Sequence, residues 1–125
     1  MRKAVAVSLV ALFVLAVPAV ASAGDRDVIR EGPCSGRSDW KLKLSAEDGS
    51  IEVEFEVDQN VVGDEWRVRI RHDREIAFRG TRTTRGASGS FELRIVEPNT
   101  AGADGFRARA RNLSTDEVCA GSASF

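Results

Sequence analysis

The stretch from Ile51 to His72, IEVEFEVDQNVVGDEWRVRIRH, holds two segments in which apolar and charged side chains alternate strictly. In residues 51–58 the apolar residues alternate with three glutamates and an aspartate, and in residues 66–71 they alternate with arginines. Successive side chains of a β-strand point to opposite faces, so this period of two predicts two half-buried strands. A slip of one residue would turn every charge into the core, and the pattern therefore specifies which face of each strand is buried.

Similar alternation recurs on both sides of this stretch. It covers residues 40–44, 76–84, 91–95 and 106–111, and a further strand is expected around Cys119. Segments rich in Gly, Asn, Asp and Ser separate the strands, and none of the segments after residue 23 has the period of a helix. The pattern predicts an all-β fold, a seven-stranded antiparallel β-sandwich.

The first 23 residues have the pattern of a secretory signal peptide. Arg2 and Lys3 precede an apolar run that ends in the small residues ASA at 21–23. Cleavage after Ala23 is preferred over a membrane anchor, because Pro18 and small residues end the run and no stop-transfer charges follow. We therefore expect a secreted protein without a membrane span, with a flexible lead-in at 24–33 and one β-sandwich domain at 34–125.

Cys34 and Cys119 are the two cysteines of the chain. In an exported protein this even count predicts one disulfide, and a reactive thiol or a metal site is the less favoured interpretation. The bridge would close a loop of about 85 residues, which the chain-entropy model values at roughly 4–5 kcal/mol. We therefore expect the first and last strands to be tied together.

The charge balance excludes one broad class of partner. Loss of the signal peptide leaves 16 basic against 19 acidic residues, and only Lys41 and Lys43 among the basic ones are lysines. A near-neutral chain of this kind is not expected to bind nucleic acid. A GC-rich genome is the simpler explanation for the preference for arginine, and selection for guanidinium groups is the alternative.

The sequence shows no convincing catalytic set, and we expect neither an enzyme nor a cofactor. The only histidine, His72, is expected at the solvated end of a strand, and both cysteines are expected to be bridged. Nucleophilic catalysis needs a nucleophile, a base and a group that orients the base. The glutamates of residues 52–56 lie in a row on an exposed face, without a pocket to separate their pKa values. A small secreted hydrolase is therefore the last-ranked alternative.

A weak calcium candidate lies between the two opening strands. Asp58, Asn60 and Asp64 begin like an EF-hand loop, in which oxygen ligands occupy alternate positions. Val62 stands at a ligand position, however, and Arg69 stands where a bidentate glutamate is required. An ordinary Asn/Gly turn is therefore preferred, and no metal is expected.

Connection lengths predict which strands share a sheet, because tight turns join neighbours and longer connections can cross between sheets. Short connections lie at 45–50, 73–74 and 112–116, and longer ones at 58–65, 85–90 and 97–105. This arrangement resembles immunoglobulin-like and fibronectin type III domains, which implies that strands one, two and five form one sheet. The Cys–Trp–Cys core and the tyrosine corner of immunoglobulin domains are absent. The run WKLKLS-x-EDG-x-IEVEFEVD also resembles small secreted actinobacterial proteins of unknown function, which implies no activity.

The resemblance would bring arginines of neighbouring strands together on one outer face. The residues concerned are Arg67, Arg69, Arg71, Arg107, Arg109 and Arg111, extended by Arg79. In the alternative arrangement residues 51–57 and 66–72 form a hairpin, and their opposite charges cancel in pairs. Both arrangements stay open at this point.

The first arrangement predicts a secreted, non-catalytic binding or adhesion-type module for an anionic partner, either a cell-surface polymer or an acidic protein. The alternative function is an inhibitor or accessory domain that binds a protein through a loop or a sheet edge.

Overall fold

The structure, a computed structural model, describes residues 27–125 and contains eight β-strands in that range. They are β1 Val28–Pro33, β2 Asp39–Glu47, β3 Ser50–Asp58, β4 Glu65–His72, β5 Glu75–Thr83, β6 Ser90–Pro98, β7 Gly105–Asn112 and β8 Val118–Ser124. The predicted signal peptide, residues 1–23, lies outside the described residues.

The described part of the chain contains no helix that is long and apolar enough to cross a membrane.

The strands form two antiparallel four-stranded sheets. Sheet A has the order β1-β2-β3-β6, and sheet B has the order β5-β4-β7-β8. The two segments of the opening stretch therefore lie in different sheets, because β3 pairs with β2 and β6 whereas β4 pairs with β5 and β7. The predicted all-β class is confirmed as a sandwich-like fold, and the hairpin alternative is wrong.

The strand count differs from the sequence-based prediction by one, eight instead of seven. The additional strand is β1, which lies where the sequence predicts a flexible lead-in and pairs with the edge of β2 from Val28 to Pro33. Val28 packs against the core, whereas most of its neighbours in β1 are exposed. Backbone pairing with β2 thus forms this strand without an apolar face of its own.

The core lies between the two sheets and consists of the apolar residues that alternate with charges. Trp66, Phe55 and Phe106, from β4, β3 and β7, are among its largest fully buried side chains. Trp40 fills the side where β1 and β8 approach, and Gly121 of β8 faces its indole ring so closely that a Cβ atom there would overlap it. A larger residue at position 121 would therefore force the indole to move.

The predicted disulfide between Cys34 and Cys119 is confirmed, with the two Cα atoms 4.3 Å apart. It joins the connection between β1 and β2 to the edge strand β8, and so links the two sheets. Beside it, the Ser35 amide donates to the Val118 carbonyl, and the Val118 amide donates to Ser35 Oγ, each at 2.8 Å. Such a bridge fits an extracellular protein.

Candidate functional site

The three arginines of β4 each lie directly opposite an arginine of β7. The pairs are Arg67 with Arg111, Arg69 with Arg109, and Arg71 with Arg107. The intervening residues of both strands are apolar and buried in the core, which turns the arginines outward. The arrangement implied by the resemblance, one of the two that the sequence left open, thus brings six arginines together.

Arg79 of β5 lies opposite Arg69 and adds a seventh arginine to this surface. Arg69 therefore has Arg109 on one side and Arg79 on the other, and it is half-buried between them. We call the surface formed by Arg67, Arg69, Arg71, Arg79, Arg107, Arg109 and Arg111 the arginine face. Directly opposed residues in a sheet have Cβ atoms about 4.5–5.5 Å apart, so these cations lie within interaction range.

Few carboxylates neutralise the arginine face. Arg111 Nη1 lies 2.8 Å from Asp116 Oδ1, and Arg71 Nη1 donates to the Arg74 carbonyl at 3.1 Å. Within residues 27–125, no carboxylate lies within 4.0 Å of the guanidinium groups of the other five, Arg67, Arg69, Arg79, Arg107 and Arg109. The face therefore carries a local excess of positive charge on a nearly neutral protein.

A groove of about 370 Å³ lies beside these arginines. The guanidinium-bearing residues Arg69, Arg71, Arg107 and Arg109 line one side, and the small residues 120–122 of β8 line the other. In the β7–β8 register, Arg109 lies opposite Ala120 and Arg107 lies opposite Ser122. The short side chains of β8 leave room in which long arginine side chains can close around an anionic group.

The outer face of sheet A has the opposite charge. We call it the acidic face, and its charged residues are Glu31, Asp39, Glu47, Glu52, Glu54, Glu56, Asp58 and Glu92 together with Lys41, Lys43 and Arg94. Arg94 Nη2 pairs with Glu47 at 3.0 Å and also with Glu52, and Lys43 Nζ lies 3.6 Å from Glu54. The hydrogen bond from Arg94 lowers the pKa of Glu52 to about 2.

In the weak calcium candidate formed by Asp58, Asn60 and Asp64, the carboxylate of Asp64 is already engaged in hydrogen bonds within the protein. Asp64 Oδ2 accepts hydrogen bonds from Gln59 Nε2 at 2.6 Å and from Asn112 Nδ2 at 2.9 Å. The bond from Asn112, followed by that from Gln59, lowers the pKa of Asp64. Asp58 and Asn60 are exposed. Asp64 thus anchors the β3–β4 loop to β7.

The expectation that His72 lies at the solvated end of a strand is wrong, and the cluster of side chains around it was not predicted from the sequence. The His72 side chain is only 11% exposed; its Nε2 lies 2.7 Å from Asp104 Oδ1, and its Nδ1 lies 3.5 Å from Glu97 Oε1. The imidazole stacks on the Phe106 ring, with centroids 4.4 Å apart.

Asp104 is itself fully buried, and it accepts hydrogen bonds from the Thr100 amide and from Thr100 Oγ1. The bonds from Thr100, and then the one from His72, lower the pKa of Asp104. Glu97 lies at the end of β6 and Asp104 lies in the β6–β7 loop, both more than 20 residues after His72. No local sequence pattern therefore signals the cluster.

Comparison with known proteins identifies no family. No protein-family model matches the chain, and neither a curated protein nor a solved structure matches it significantly.

Proposed function

We propose that the domain is a secreted, non-catalytic binding module that recognises an anionic cell-surface polymer through the arginine face. The observation that carries the proposal is the register of β4 and β7, which sets three pairs of arginines opposite each other. Guanidinium groups bind carboxylate, sulfate-like and phosphate oxygens through paired, charge-assisted hydrogen bonds. The arginine face thus offers a matching set of donors.

The repulsion between arginines on neighbouring strands supports the same proposal. Like charges directly opposite each other in a sheet destabilise it, and Arg69 faces such a neighbour on both sides. An anionic ligand that neutralises this surface would remove the repulsion as well as make new hydrogen bonds. Binding to the folded state alone also stabilises it.

The layout of the face favours a linear polymer over an acidic protein. Alternate residues along a strand are about 6.4–6.8 Å apart, so three successive arginine pairs present cationic positions at that repeat. The groove beside them follows residues 120–122 of β8 and is open to solvent. A chain with regularly repeated anionic groups could contact several pairs at once, and such multiple contacts raise the overall affinity.

The strand order supports an immunoglobulin-like or fibronectin type III-like architecture for this module. β2, β3 and β6 occupy one sheet, and β5, β4, β7 and β8 occupy the other. This is the division implied by the resemblance, with β1 added at the edge of β2. Domains of this architecture serve many unrelated functions, so a binding function must come from the charged surface and not from the fold.

The test uses the mature chain from Gly24 and an immobilised linear polyanion, dextran sulfate. We expect binding at low salt that weakens steeply at physiological salt, because exposed charges are then screened. The variant Arg69→Gln with Arg109→Gln should bind roughly tenfold or more weakly, since two charge-assisted contacts are lost. Unfolding midpoints of all proteins are measured in parallel to confirm folding.

The matched control is Arg37→Gln with Arg85→Gln, which removes the same charge from two exposed loop residues. It should bind like the wild type. Equal loss in both double variants would show that only net charge matters, and absence of binding by the wild type at low salt would also contradict the proposal. Stronger binding to immobilised poly-glutamate than to dextran sulfate would indicate an acidic protein partner instead.

A second candidate function, an inhibitor or accessory domain, is favoured by one loop. Val61 and Val62 in the β3–β4 loop are 48% and 64% exposed, beside a groove of about 410 Å³ that includes Arg37 and Glu117. Exposed apolar residues at a loop tip are typical of protein contacts. A partner bound here would be lost on Val61→Ser with Val62→Ser, would survive the arginine substitutions and would show little salt dependence.

A further inference from the structure

We infer that His72, Asp73 and Asp104 form a binding site for a divalent transition-metal ion, with Zn²⁺ as the best fit. One ligand atom from each residue lies within 4.8 Å of the other two. His72 Nε2 is 2.7 Å from Asp104 Oδ1 and 3.8 Å from Asp73 Oδ2. This site is separate from the arginine face and does not depend on the proposed function.

The spacing of the three atoms is close to what a small ion requires. Zinc bonds to nitrogen and carboxylate oxygen are about 2.0–2.2 Å long, which places tetrahedral ligand atoms roughly 3.3–3.5 Å apart. The three atoms reach this spacing if Asp73 Oδ2 moves inward and if His72 Nε2 and Asp104 Oδ1, now 2.7 Å apart, separate by roughly 0.6–0.8 Å. Asp73 is 52% exposed, so its Oδ2 has room for a small shift while Oδ1 keeps the hydrogen bond from the Gly105 amide.

Glu97 lies beside the second ring nitrogen of His72. Its Oε1 lies 3.5 Å from Nδ1, the ring nitrogen of His72 that faces away from the other two carboxylates. A metal-ligating histidine usually donates its other N–H to a carboxylate, which fixes the tautomer and leaves the remaining nitrogen free to ligate. Metal binding at Nε2 would place the imidazole proton on Nδ1, and Glu97 would accept it.

The remaining contacts hold the candidate ligands in place. Asp73 Oδ1 accepts the Gly105 amide at 2.9 Å, and Oδ2 is then the atom nearer to His72. Thr100 holds Asp104 through its amide and hydroxyl groups. Stacking on Phe106 orients the imidazole. A site whose ligands are positioned in advance binds an ion at a lower conformational cost.

The chemistry and access of the site favour a transition metal over calcium. One imidazole nitrogen and two carboxylate oxygens match the ligands of Zn²⁺, whereas Ca²⁺ takes six to eight oxygens. Asp104 is buried, but the exposed side chain of Asp73 opens the site to solvent, so water can complete the coordination. The ion would link the end of β4 to the β6–β7 loop.

The test is isothermal titration of the untagged, chelator-treated mature chain with Zn²⁺ alone. We expect one equivalent to bind, and we expect Ca²⁺ at the same concentrations not to bind. Asp73→Asn keeps an oxygen for the Gly105 amide but removes an anionic ligand, so affinity should fall about tenfold or more. Glu97→Gln should reduce it by roughly 10–100-fold through the histidine.

The matched control is Glu75→Gln, an exposed carboxylate in β5, opposite His72 in the strand register, that is not among the candidate ligands. It should bind Zn²⁺ like the wild type. Because His72 is the only histidine, its ring nitrogens report binding directly by nitrogen NMR, even if a variant is less stable. Absence of stoichiometric binding or an unshifted Nε2 resonance would show that His72 and Asp104 form only a structural hydrogen bond, and unchanged affinity in Asp73→Asn would contradict the three-residue site.

Discussion

The outer faces of the two sheets are both densely charged, but they differ in how their charges are paired. On the acidic face, opposite-charge pairs outnumber the like-charge pairs Asp39–Asp58 and Glu56–Glu92. On the acidic face, Arg94 lies between Glu47 and Glu52, and β2 places Lys43 opposite Glu54. On the arginine face, β4 and β7 set like charges opposite each other along three successive pairs. Opposite-charge pairs lower the energy of the isolated domain, whereas like-charge pairs raise it.

The difference between the two faces shows that folding does not determine the sign of the charges on an outer face. The core requires only that apolar residues alternate with polar ones, and either sign of charge satisfies that requirement. The acidic strand and the arginine strand follow each other in the chain, yet they enter different sheets, so their opposite charges do not meet as cross-strand pairs. Like-charged pairs on an outer face are therefore tolerated by the fold and available to a ligand.

Charge reversal at one position on each face should change stability in opposite directions. Arg94→Glu would leave Glu47, Glu52 and Glu54 beside a further carboxylate, and the midpoint of thermal unfolding should fall by about 5–10 °C. Circular dichroism at low salt and neutral pH measures it. A rise, or no change, would contradict the view that the acidic face is stabilised by its cations.

Arg69→Glu is the corresponding change on the arginine face. It would turn two repulsive neighbours, Arg79 and Arg109, into attractive ones, so the same midpoint should rise by about 3–6 °C. Adding Arg109→Glu should cancel part of the gain, because two carboxylates would then oppose each other. Additive effects of the two substitutions would show that the facing pair does not interact.

Acid should weaken the acidic face first. The pKa of Glu52 is lowered to about 2 by its bond to Arg94, so the ionised carboxylate adds stability above its ordinary pKa, and this contribution is lost as pH falls towards 2. We therefore expect wild type to unfold about 2–4 °C above Glu52→Gln at neutral pH. The gap should shrink towards zero as pH falls through 2, and at neutral pH it should be much smaller in an Arg94→Gln background.

Much of the fold follows from local alternation, because each strand of the opening stretch buries one face. The resemblance to immunoglobulin-like and fibronectin type III domains implies β4 beside β7, but the sequence left open a direct hairpin between residues 51–57 and 66–72, and the structure decides between them. β1 does not follow from local alternation, since it has no continuous apolar face and forms by pairing with β2 beside the Cys34 bridge. The His72 cluster could not be predicted either, because Asp104 reaches it from an irregular loop whose course depends on the whole sandwich.

Salt should have the smallest effect on the unfolding midpoint of the wild type, but its effects on variants of the two faces should have opposite signs. Raising ionic strength from about 10 to 150 mM shortens the screening length from roughly 30 to 8 Å, which weakens attraction on the acidic face and repulsion on the arginine face together. In the wild type these changes oppose each other, so the unfolding midpoint should move by only about 1–2 °C. Arg69→Glu removes much of the repulsion and should therefore lose stability on addition of salt, whereas Arg94→Glu should gain it. If both variants respond to salt in the same direction, the faces do not differ in their charge pairing, and the comparison that supports an anionic ligand fails.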